Sequence, residues 1–239
     1  MGYTFRKGLI DGLPICIGYL SVSFAFGIFA VGSGFSIIEA LMISMFNVTS
    51  AGQLAGVPII ASGGMMAELA VSQLVINLRY ALMSVSLSQR LDRTVRLRDR
   101  FLIAFVNTDE VFAIASSQRE HVGRHYLYGL ILTPYLGWTC GTLLGAIAGD
   151  ILPSIVTAAL GIAIYGMFIA IVTPVARADR ATAVCGLITA VLSCLFYYLP
   201  ALSSIPSGFV IIICAIIAAG IMALVAPVKV NSEEVAANA

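Results

Sequence analysis

The stretch FLIAFVNTDEVFAIASSQ, from Phe101 to Gln118, carries two adjacent carboxylates, Asp109 and Glu110, in the middle of an apolar run. Adjacent acids are ordinary on a solvated loop, but these two have apolar residues on both sides. The short polar segment NTDE interrupts the run, which indicates a broken apolar helix. Such a break is tolerated in a membrane only where the backbone is buried in protein or lines a wet cavity.

Composition places the chain in lipid. It has 239 residues, of which 60% are hydrophobic and only 10% charged, and its mean hydropathy is +1.01. A soluble domain of this length carries about a quarter charged residues. The net charge of +1 gives no reason to expect a nucleic-acid partner. The five cysteines lie in apolar runs without metal-ligand spacing, so we expect packing roles and no metal or other cofactor.

Eight apolar stretches are long enough to be considered as membrane segments, since a spanning helix needs about 20 apolar residues. The connectors between them are short and leave no room for a soluble domain. The stretches are 12–34, 37–60, 64–88, 101–118, 126–148, 153–175, 182–199 and 207–227.

The basic residues decide how many stretches cross, because Lys and Arg accumulate in cytoplasmic loops. If all eight crossed from a cytoplasmic N-terminus, the five arginines at 90–100 would lie outside. If 37–60 and 101–118 instead enter and leave on one side, every basic residue except Arg79 lies inside. The sequence therefore predicts an all-α polytopic membrane helix bundle with about six full spans plus two re-entrant or broken helices. Its transmembrane domain, 12–228, lies between a cytoplasmic N-terminus, 1–11, and a cytoplasmic tail, 229–239.

The first exceptional stretch contains NVTSAGQLAGVP, from Asn47 to Pro58. Gly52 and Gly56 can mark a helix break that exposes backbone amides and carbonyls to a ligand. The same two glycines, four residues apart, also suit close helix packing of the GxxxG type. Both interpretations remain open from the sequence.

Arg79 lies near the middle of the stretch 64–88. An arginine at that depth costs about 2.5–3.5 kcal/mol on insertion scales, so it needs an anion or a wet cavity. Its helix would carry two polar stripes, which predicts a position in the centre of the bundle with neighbours on both sides. One stripe contains Glu68, Ser72, Arg79 and Ser86, and the other contains Gln73, Asn77, Tyr80 and Ser84.

Arg79 and the two acids satisfy one another's requirements if they meet or share an aqueous cavity. One acid would then pair with Arg79 while the other stays free, and we expect Asp109 to be the free one, because its shorter side chain keeps the charge near the broken backbone. A purely structural ion pair that docks the broken helix is the alternative. The functional interpretation rests on the tendency of intramembrane ionisable groups to mark pathways or proton relays.

The sequence gives little support for a metal site or an enzyme. His121 and His125 have the spacing of two ligands on one helix face, but no third ligand is evident. The chain contains no HExxH or GxSxG pattern, so we do not expect an enzyme, and no P-loop, so it does not hydrolyse nucleotide. A channel for a small polar solute and a non-transporting membrane subunit remain as rivals of a transporter.

Three motifs in this order, SAGQLAG, NLRYALMSVSLSQRL and AFVNTDEVFAIA, make the chain resemble the AzlC family of bacterial branched-chain amino acid exporters. The early segment LPICIGYLSVSFAFG also fits, and the resemblance covers roughly residues 8–228. Members often have Arg-His where this chain has Arg79–Tyr80. The family's small-small-Gln-aromatic pattern ends in Leu54 here.

The resemblance implies a multi-pass permease of the bacterial cell (inner) membrane that exports valine, leucine and isoleucine, and sometimes methionine. It also implies a small membrane partner of the AzlD type. Carried over by position, the residues for substrate binding or coupling are Gln53, Asn77, Arg79, Asp109 and Glu110.

An apolar zwitterion sets simple requirements for such a site. Free N–H groups near Ser50–Gln53, or Arg79, would receive the carboxylate, and Asp109 or Glu110 would receive the ammonium. We expect aromatic residues, Phe24, Phe26 and Phe105, to line the side-chain pocket. Proton antiport is the predicted energy source, since a carboxylate in a low-dielectric cavity can take up a proton near physiological pH.

Overall fold

The apolar runs form helices in the computed structural model, because backbone polar groups in lipid must be satisfied within their own segment. The structure describes residues 4–118, 120–153, 155, 166, 169, 172–174, 176–200, 202 and 205–226. Helices are the only regular elements within these residues, which confirms the all-α class. They are α1 (Phe5–Gly32), α2 (Ile37–Phe46), α3 (Ser50–Ala61), α4 (Met66–Ser88), α5 (Leu97–Phe105), α6 (Asp109–Ser116), α7 (Arg124–Ile151), α8 (Arg180–Tyr198) and α9 (Ser207–Val225).

Five of these helices are long and apolar enough to cross a membrane, namely α1, α4, α7, α8 and α9. Most of the predicted stretch 153–175 and all of the tail 229–239 lie outside the described residues. The chain divides into two compact units, Met1–Met167 and Phe168–Ala239. The first contains α1 to α7, and the second contains α8 and α9, which pack against each other.

A glycine-lined seam between α1 and α7 forms the core of the first unit. Gly8 lies against Tyr126 and Gly145 lies against Phe24, so the two helices run parallel. Small residues let helix backbones approach closely, which replaces the hydrophobic driving force that lipid cannot supply. The glycines in direct backbone contact across the seam are Gly8, Gly12, Gly27, Gly129, Gly137, Gly141 and Gly145. The helix α1 begins at Phe5, within the segment 1–11 predicted to precede the first span.

The predicted stretch 37–60 is a broken helix, as the sequence indicated. The break covers 47–49, and Thr49 caps α3 by accepting a hydrogen bond from the Gly52 N–H at 3.3 Å. Of the two interpretations of Gly52 and Gly56, the helix break is wrong, because both lie inside α3. They face α4 instead, where a Cβ on Gly52 would lie 2.6 Å from the side chain of Gln73. The close-packing interpretation of these glycines therefore holds.

The direction of α2 follows from its contacts with α7. The Ser44 hydroxyl lies 2.6 Å from the Thr142 hydroxyl, and the Met45 carbonyl accepts a hydrogen bond from the Tyr135 hydroxyl at 3.1 Å. Progress along α2 therefore leads backwards along α7. Since α1 and α7 are parallel, α2 starts at the end of the unit where both of them end and runs inward.

The helix α3 returns to the same end. Gly52 lies beside Gln73, whereas Gly64, just after α3, lies beside Glu68 near the start of α4. The two helices are therefore antiparallel, and α3 ends where α4 begins. The pair α2–α3, called the first hairpin below, therefore begins and ends at the same end of the first unit. Its helices have 10 and 12 residues, so each reaches about half of a 30 Å hydrocarbon core.

The second hairpin, α5–α6, enters from the opposite end. At its base, Asp99 accepts hydrogen bonds from the Tyr128 hydroxyl at 2.5 Å and from the Arg96 N–H at 2.7 Å. These bonds hold the pKa of the Asp99 carboxyl below its ordinary value and fix the start of α5 beside the start of α7. The backbone breaks at 106–108 before α6 begins.

The return of the second hairpin is fixed by a backbone link between the loops at this end. The Asp92 N–H donates to the Val122 carbonyl at 3.1 Å, and the Val122 N–H donates to the Arg90 carbonyl at 2.9 Å. The residues just after α4 therefore lie beside those just before α7. The second hairpin leaves and rejoins this end, so the two hairpins approach each other from opposite ends of the first unit.

The helix α4 contacts both hairpins, through α3 and α6, but is not enclosed by the described residues. Its outer face carries Leu74, Leu78 and Leu82, which are 58–70% exposed. The prediction of neighbours on both sides of this helix is therefore wrong for the part of the chain that the structure describes. The reason is that both polar stripes find partners in the two hairpins. In the first stripe, Glu68 and Ser72 are buried near the first hairpin, and Arg79 pairs with Asp109 of the second. In the second stripe, Gln73 donates to the Gly52 carbonyl, and Ser84 accepts from Asn107.

Candidate functional site between the hairpin tips

A cavity of about 210 Å³ lies where the two hairpin tips meet beside α4. Both breaks contribute to its wall, so backbone outside any helix lines it, as is expected of irregular backbone at membrane depth. The lining residues are Phe46, Asn47, Val48 and Thr49 from the first hairpin, Asn77 and Tyr80 from α4, and Ala104, Phe105 and Asn107 from the second hairpin.

Gln73 ties the first tip to α4. Its amide nitrogen donates to the Gly52 carbonyl at 2.8 Å, and its amide oxygen accepts from Asn77 at 3.2 Å and from Asn47 at 3.4 Å. Three segments thus share one side chain. This network fixes the orientation of the Asn77 amide. The Asn77 nitrogen donates to Gln73, whereas the Asn77 oxygen does not take part in the network.

Two side-chain carbonyl oxygens at the cavity lack donors. The Oδ1 atoms of Asn77 and Asn107 are buried and accept no hydrogen bond within the described residues. Asn107 is only 3% exposed, and its Nδ2 donates to the Ser84 hydroxyl at 3.1 Å. An unsatisfied buried acceptor costs about 1–3 kcal/mol. The two oxygens therefore favour a guest that brings N–H or O–H donors, such as an ammonium group or water.

Tyr80 lines the cavity and carries a hydroxyl that can donate. The Tyr80 hydroxyl accepts from Arg79 Nη2 at 3.2 Å, which leaves its own hydrogen available. The α3 N-terminus, with the capping Thr49, supplies the positive end of a helix dipole nearby. The cavity thus offers acceptors on Asn77 and Asn107 and donors on the Tyr80 side, between the apolar residues Phe46, Val48 and Phe105.

The intramembrane arginine pairs with the first acid. Arg79 Nη1 lies 2.8 Å from Asp109 Oδ2, and the two side chains are 49% and 47% exposed. The expectation that Asp109 stays free is therefore wrong. Asp109 is the first residue of α6 and its carboxylate lies at the positive end of that helix, which suits the anion of a fixed pair.

The second acid has a different partner. Glu110 accepts a hydrogen bond from the Tyr19 hydroxyl of α1, and the Tyr19 ring packs edge-on against Trp138 with 5.1 Å between ring centroids. Glu110 itself is exposed and forms no ion pair within the part of the chain that the structure describes. Of the two acids, Asp109 is paired with a cation within these residues and Glu110 is not.

Three residues proposed from the sequence lie away from the cavity. Gln53 is 1% exposed, and its nitrogen donates to Ser44 at 2.9 Å, so it links α3 to the last turn of α2. Phe24 packs on the seam against Gly145, and Phe26 is buried on α1. Of the aromatic residues proposed from the sequence, Phe105 lines the cavity.

Gln73, Tyr80 and Asn107 belong to the site although they were not proposed as site residues. A signal for the first two was present, since both lie on the polar stripe that contains Asn77. Asn107 opens the NTDE segment, but the acids that follow it dominate that pattern. Only the distances between residues in the structure show that Asn107 lines the cavity while Asp109 pairs with Arg79.

Comparison with known proteins covers the whole arrangement of hairpins and cavity. A family model described as AzlC protein matches residues 14–152, which include about two thirds of α1 and every element from α2 to α7. The chain belongs to the AzlC family. The matched range is shorter than the 8–228 expected from the motifs, and it ends within the first unit.

Two relatives extend this assignment. An uncharacterized membrane protein of Archaeoglobus fulgidus is 35% identical over 172 residues, covering 71% of this chain and 75% of the relative. Inner membrane protein YgaZ of Escherichia coli is 32% identical over 173 residues, covering 69% and 70%. No solved structure matches the chain. This AzlC-family chain is therefore a multi-pass membrane protein.

Proposed function

We propose that this chain is a secondary carrier that exports apolar amino acids, chiefly valine, leucine and isoleucine, and also methionine, across the bacterial inner membrane. The export is coupled to proton entry and involves a small AzlD-type membrane subunit. The substrate class and the partner are proposed from family membership. The name of the Escherichia coli relative supports the membrane assignment.

The observation that carries the proposal is the cavity between the hairpin tips, with its two donorless amide oxygens. A zwitterionic amino acid would place its ammonium between Asn77 and Asn107 and its carboxylate towards Tyr80 and the α3 N-terminus. Its side chain would lie against Phe46 and Phe105. Discontinuous helices around a midplane site are a common arrangement in secondary transporters.

A channel for a small polar solute is the second candidate. Two re-entrant hairpins that enter from opposite ends and meet at mid-depth also suit a pore. A carrier differs from a pore in that its flux saturates and its substrate accelerates exchange of labelled substrate from the opposite side. Saturable counterflow therefore favours the carrier, and its absence with retained flux favours the channel.

Labelled-leucine efflux from cells with and without the chain tests the function. With the chain present, we expect faster efflux, and Asn77→Leu should raise the half-saturating internal leucine concentration about tenfold or more. The reason is that a hydrogen bond to a charged group contributes about 1.5–3 kcal/mol. Asn77→Asp, which keeps an acceptor at this position, should restore part of the affinity.

Leu78→Ala is the matched control, because Leu78 is the next residue of α4 and is 58% exposed. It should leave the half-saturating concentration unchanged. Efflux of leucine, valine, isoleucine and methionine that is identical with and without the chain would rule out the proposed function. If Asn77→Leu and Leu78→Ala changed the half-saturating concentration equally, the cavity would not be the substrate-binding site.

The proposed topology has six spans with both termini in the cytoplasm, and it makes a labelling prediction. In a protein lacking its five native cysteines, Ser62→Cys and Asp150→Cys should react with an impermeant thiol reagent added outside. Arg96→Cys should not react. The physical reason is that Ser62 directly follows the first hairpin and Asp150 lies in the last turn of α7, at one end of the unit. Arg96, in contrast, directly precedes the second hairpin, at the other end. If Arg96→Cys reacted with the reagent added outside, the proposed topology would be wrong.

A further inference from the structure

A second cavity, of about 240 Å³, lies between the last turns of α4 and the helix α5. It shares Ala104 and Asn107 with the cavity between the hairpin tips. Asn107, which lines both spaces, donates a hydrogen bond at 3.1 Å to Ser84, which lines the second cavity alone. The second cavity is therefore an antechamber on the side of the unit where α4 ends.

Arg100 is the one charged residue among those that line the antechamber in the described part of the chain. It is exposed and forms no ion pair with any residue that the structure describes. The remaining wall is mostly apolar, with Val85, Leu87 and Ile103. A cation beside an apolar wall suits a guest that combines a carboxylate with an apolar body.

The boundary between the two cavities carries a hydrogen-bond acceptor, whereas the antechamber carries a cation. Asn107 presents a buried oxygen without a donor at the boundary, which favours the ammonium end of the same guest. Arg100 would repel that end. A zwitterion would thus be oriented before it reaches the boundary, with its carboxylate held back by Arg100 and its ammonium towards Asn107.

We propose that the antechamber is a cytoplasmic access site in which Arg100 binds the carboxylate of an apolar amino acid before the amino acid passes the Asn107–Ser84 hydrogen bond. This inference rests on the proposed function for its substrate and its sidedness. It adds a second binding site and a residue, Arg100, that lies outside the cavity between the hairpin tips.

The test measures the local charge without relying on transport. Ser88→Cys places a thiol in the antechamber of a protein lacking the native cysteines, and inside-out vesicles expose the cytoplasmic side. Small anionic and cationic thiol reagents of similar size are compared. We expect Arg100→Gln to lower the ratio of anionic to cationic reaction rates about five- to tenfold, because a charge at a low-dielectric wall focuses the local potential.

Arg98→Gln is the matched control, since it removes the same charge from α5 at a side chain that is 74% exposed and does not line the antechamber. It should change the ratio less than twofold on the same argument. An unchanged ratio in Arg100→Gln, an equal fall in both variants, or no reaction from the cytoplasmic side would overturn the inference.

A protection experiment identifies the guest. Leucine should slow the labelling of Ser88→Cys, whereas leucinamide, which lacks the carboxylate, should not, and Arg100→Gln should remove the protection. Absence of protection by leucine would overturn the assignment of the guest. If leucine protects but no leucine is exported, the proposed function fails while the access site stands.

Discussion

Gly145→Ala is expected to lower the stability of the folded protein by about 2–3 kcal/mol, as estimated for overpacked cores. A Cβ at this position would lie 1.9 Å from the Phe24 carbonyl oxygen, a backbone atom that cannot rotate away. The helices α1 and α7 would have to separate along their seam. Size-exclusion chromatography of heated samples in detergent measures the effect, and the apparent melting temperature should fall by about 5–10 °C.

Gly18→Ala, on α1, is not expected to lower the stability of the folded protein. A Cβ on Gly18 meets no atom within 4 Å. Alanine is favoured over glycine in a helix interior by up to about 1 kcal/mol, so this variant should be as stable as the native chain or more stable. If Gly145→Ala proved as stable as Gly18→Ala, the close approach of α1 and α7 would not contribute to folding.

The seam also shows where sequence reasoning ends. The glycines of α7 recur mostly at intervals of four residues, but their meaning depends on α1, which lies far away in the sequence. A spacing of four predicts a smooth helix face and does not say which helix covers it. The apolar stretches, in contrast, could be predicted because hydrophobic length is a property of each segment alone.

The breaks were predictable in existence but only partly in position. In 101–118, polar residues interrupt the apolar run, and the backbone breaks there, at 106–108. In 37–60, the glycines gave the stronger signal, yet the break lies at 47–49. A threonine N-cap starts a new helix there, while Gly52 and Gly56 continue it, since glycine weakens a helix without ending it.

The assignment of the acids depended on the third dimension. Adjacent helical residues point about 100° apart, so the sequence could predict that one acid pairs with Arg79 and the other does not. Which acid pairs depends on how α6 is rotated against α4 and α1. That rotation directs Asp109 to Arg79 and Glu110 to Tyr19.

The two acids are therefore expected to respond differently to amide substitution. Asp109→Asn removes the partner of Arg79, but both side chains are about half exposed, so the cost in stability should be about 1 kcal/mol or less. A fully buried pair would lose about 3–5 kcal/mol. The charge that remains on Arg79 should weaken transport in every mode. Arg79→Gln combined with Asp109→Asn should recover part of that loss.

Glu110→Gln should have the largest effect on coupling. The variant keeps the shape of the side chain and an acceptor for the Tyr19 hydroxyl, so we expect it to fold and to exchange substrate. It removes the carboxylate that forms no ion pair within the described residues, and ionisable groups inside a membrane tend to mark proton relays. Accumulation of leucine in inside-out vesicles under an imposed pH gradient should therefore fall to the level without a gradient, while counterflow persists.

Tyr19→Phe is the control that separates titration from local structure, because it removes the hydroxyl that donates to Glu110 and leaves the carboxylate in place. It should retain gradient-driven accumulation. Full gradient-driven accumulation in Glu110→Gln would show that this acid does not couple protons. If Asp109→Asn kept accumulation as well, the pair of acids in NTDE would have a structural role only, in which Asp109 docks the second hairpin on Arg79 and Glu110 docks it on Tyr19.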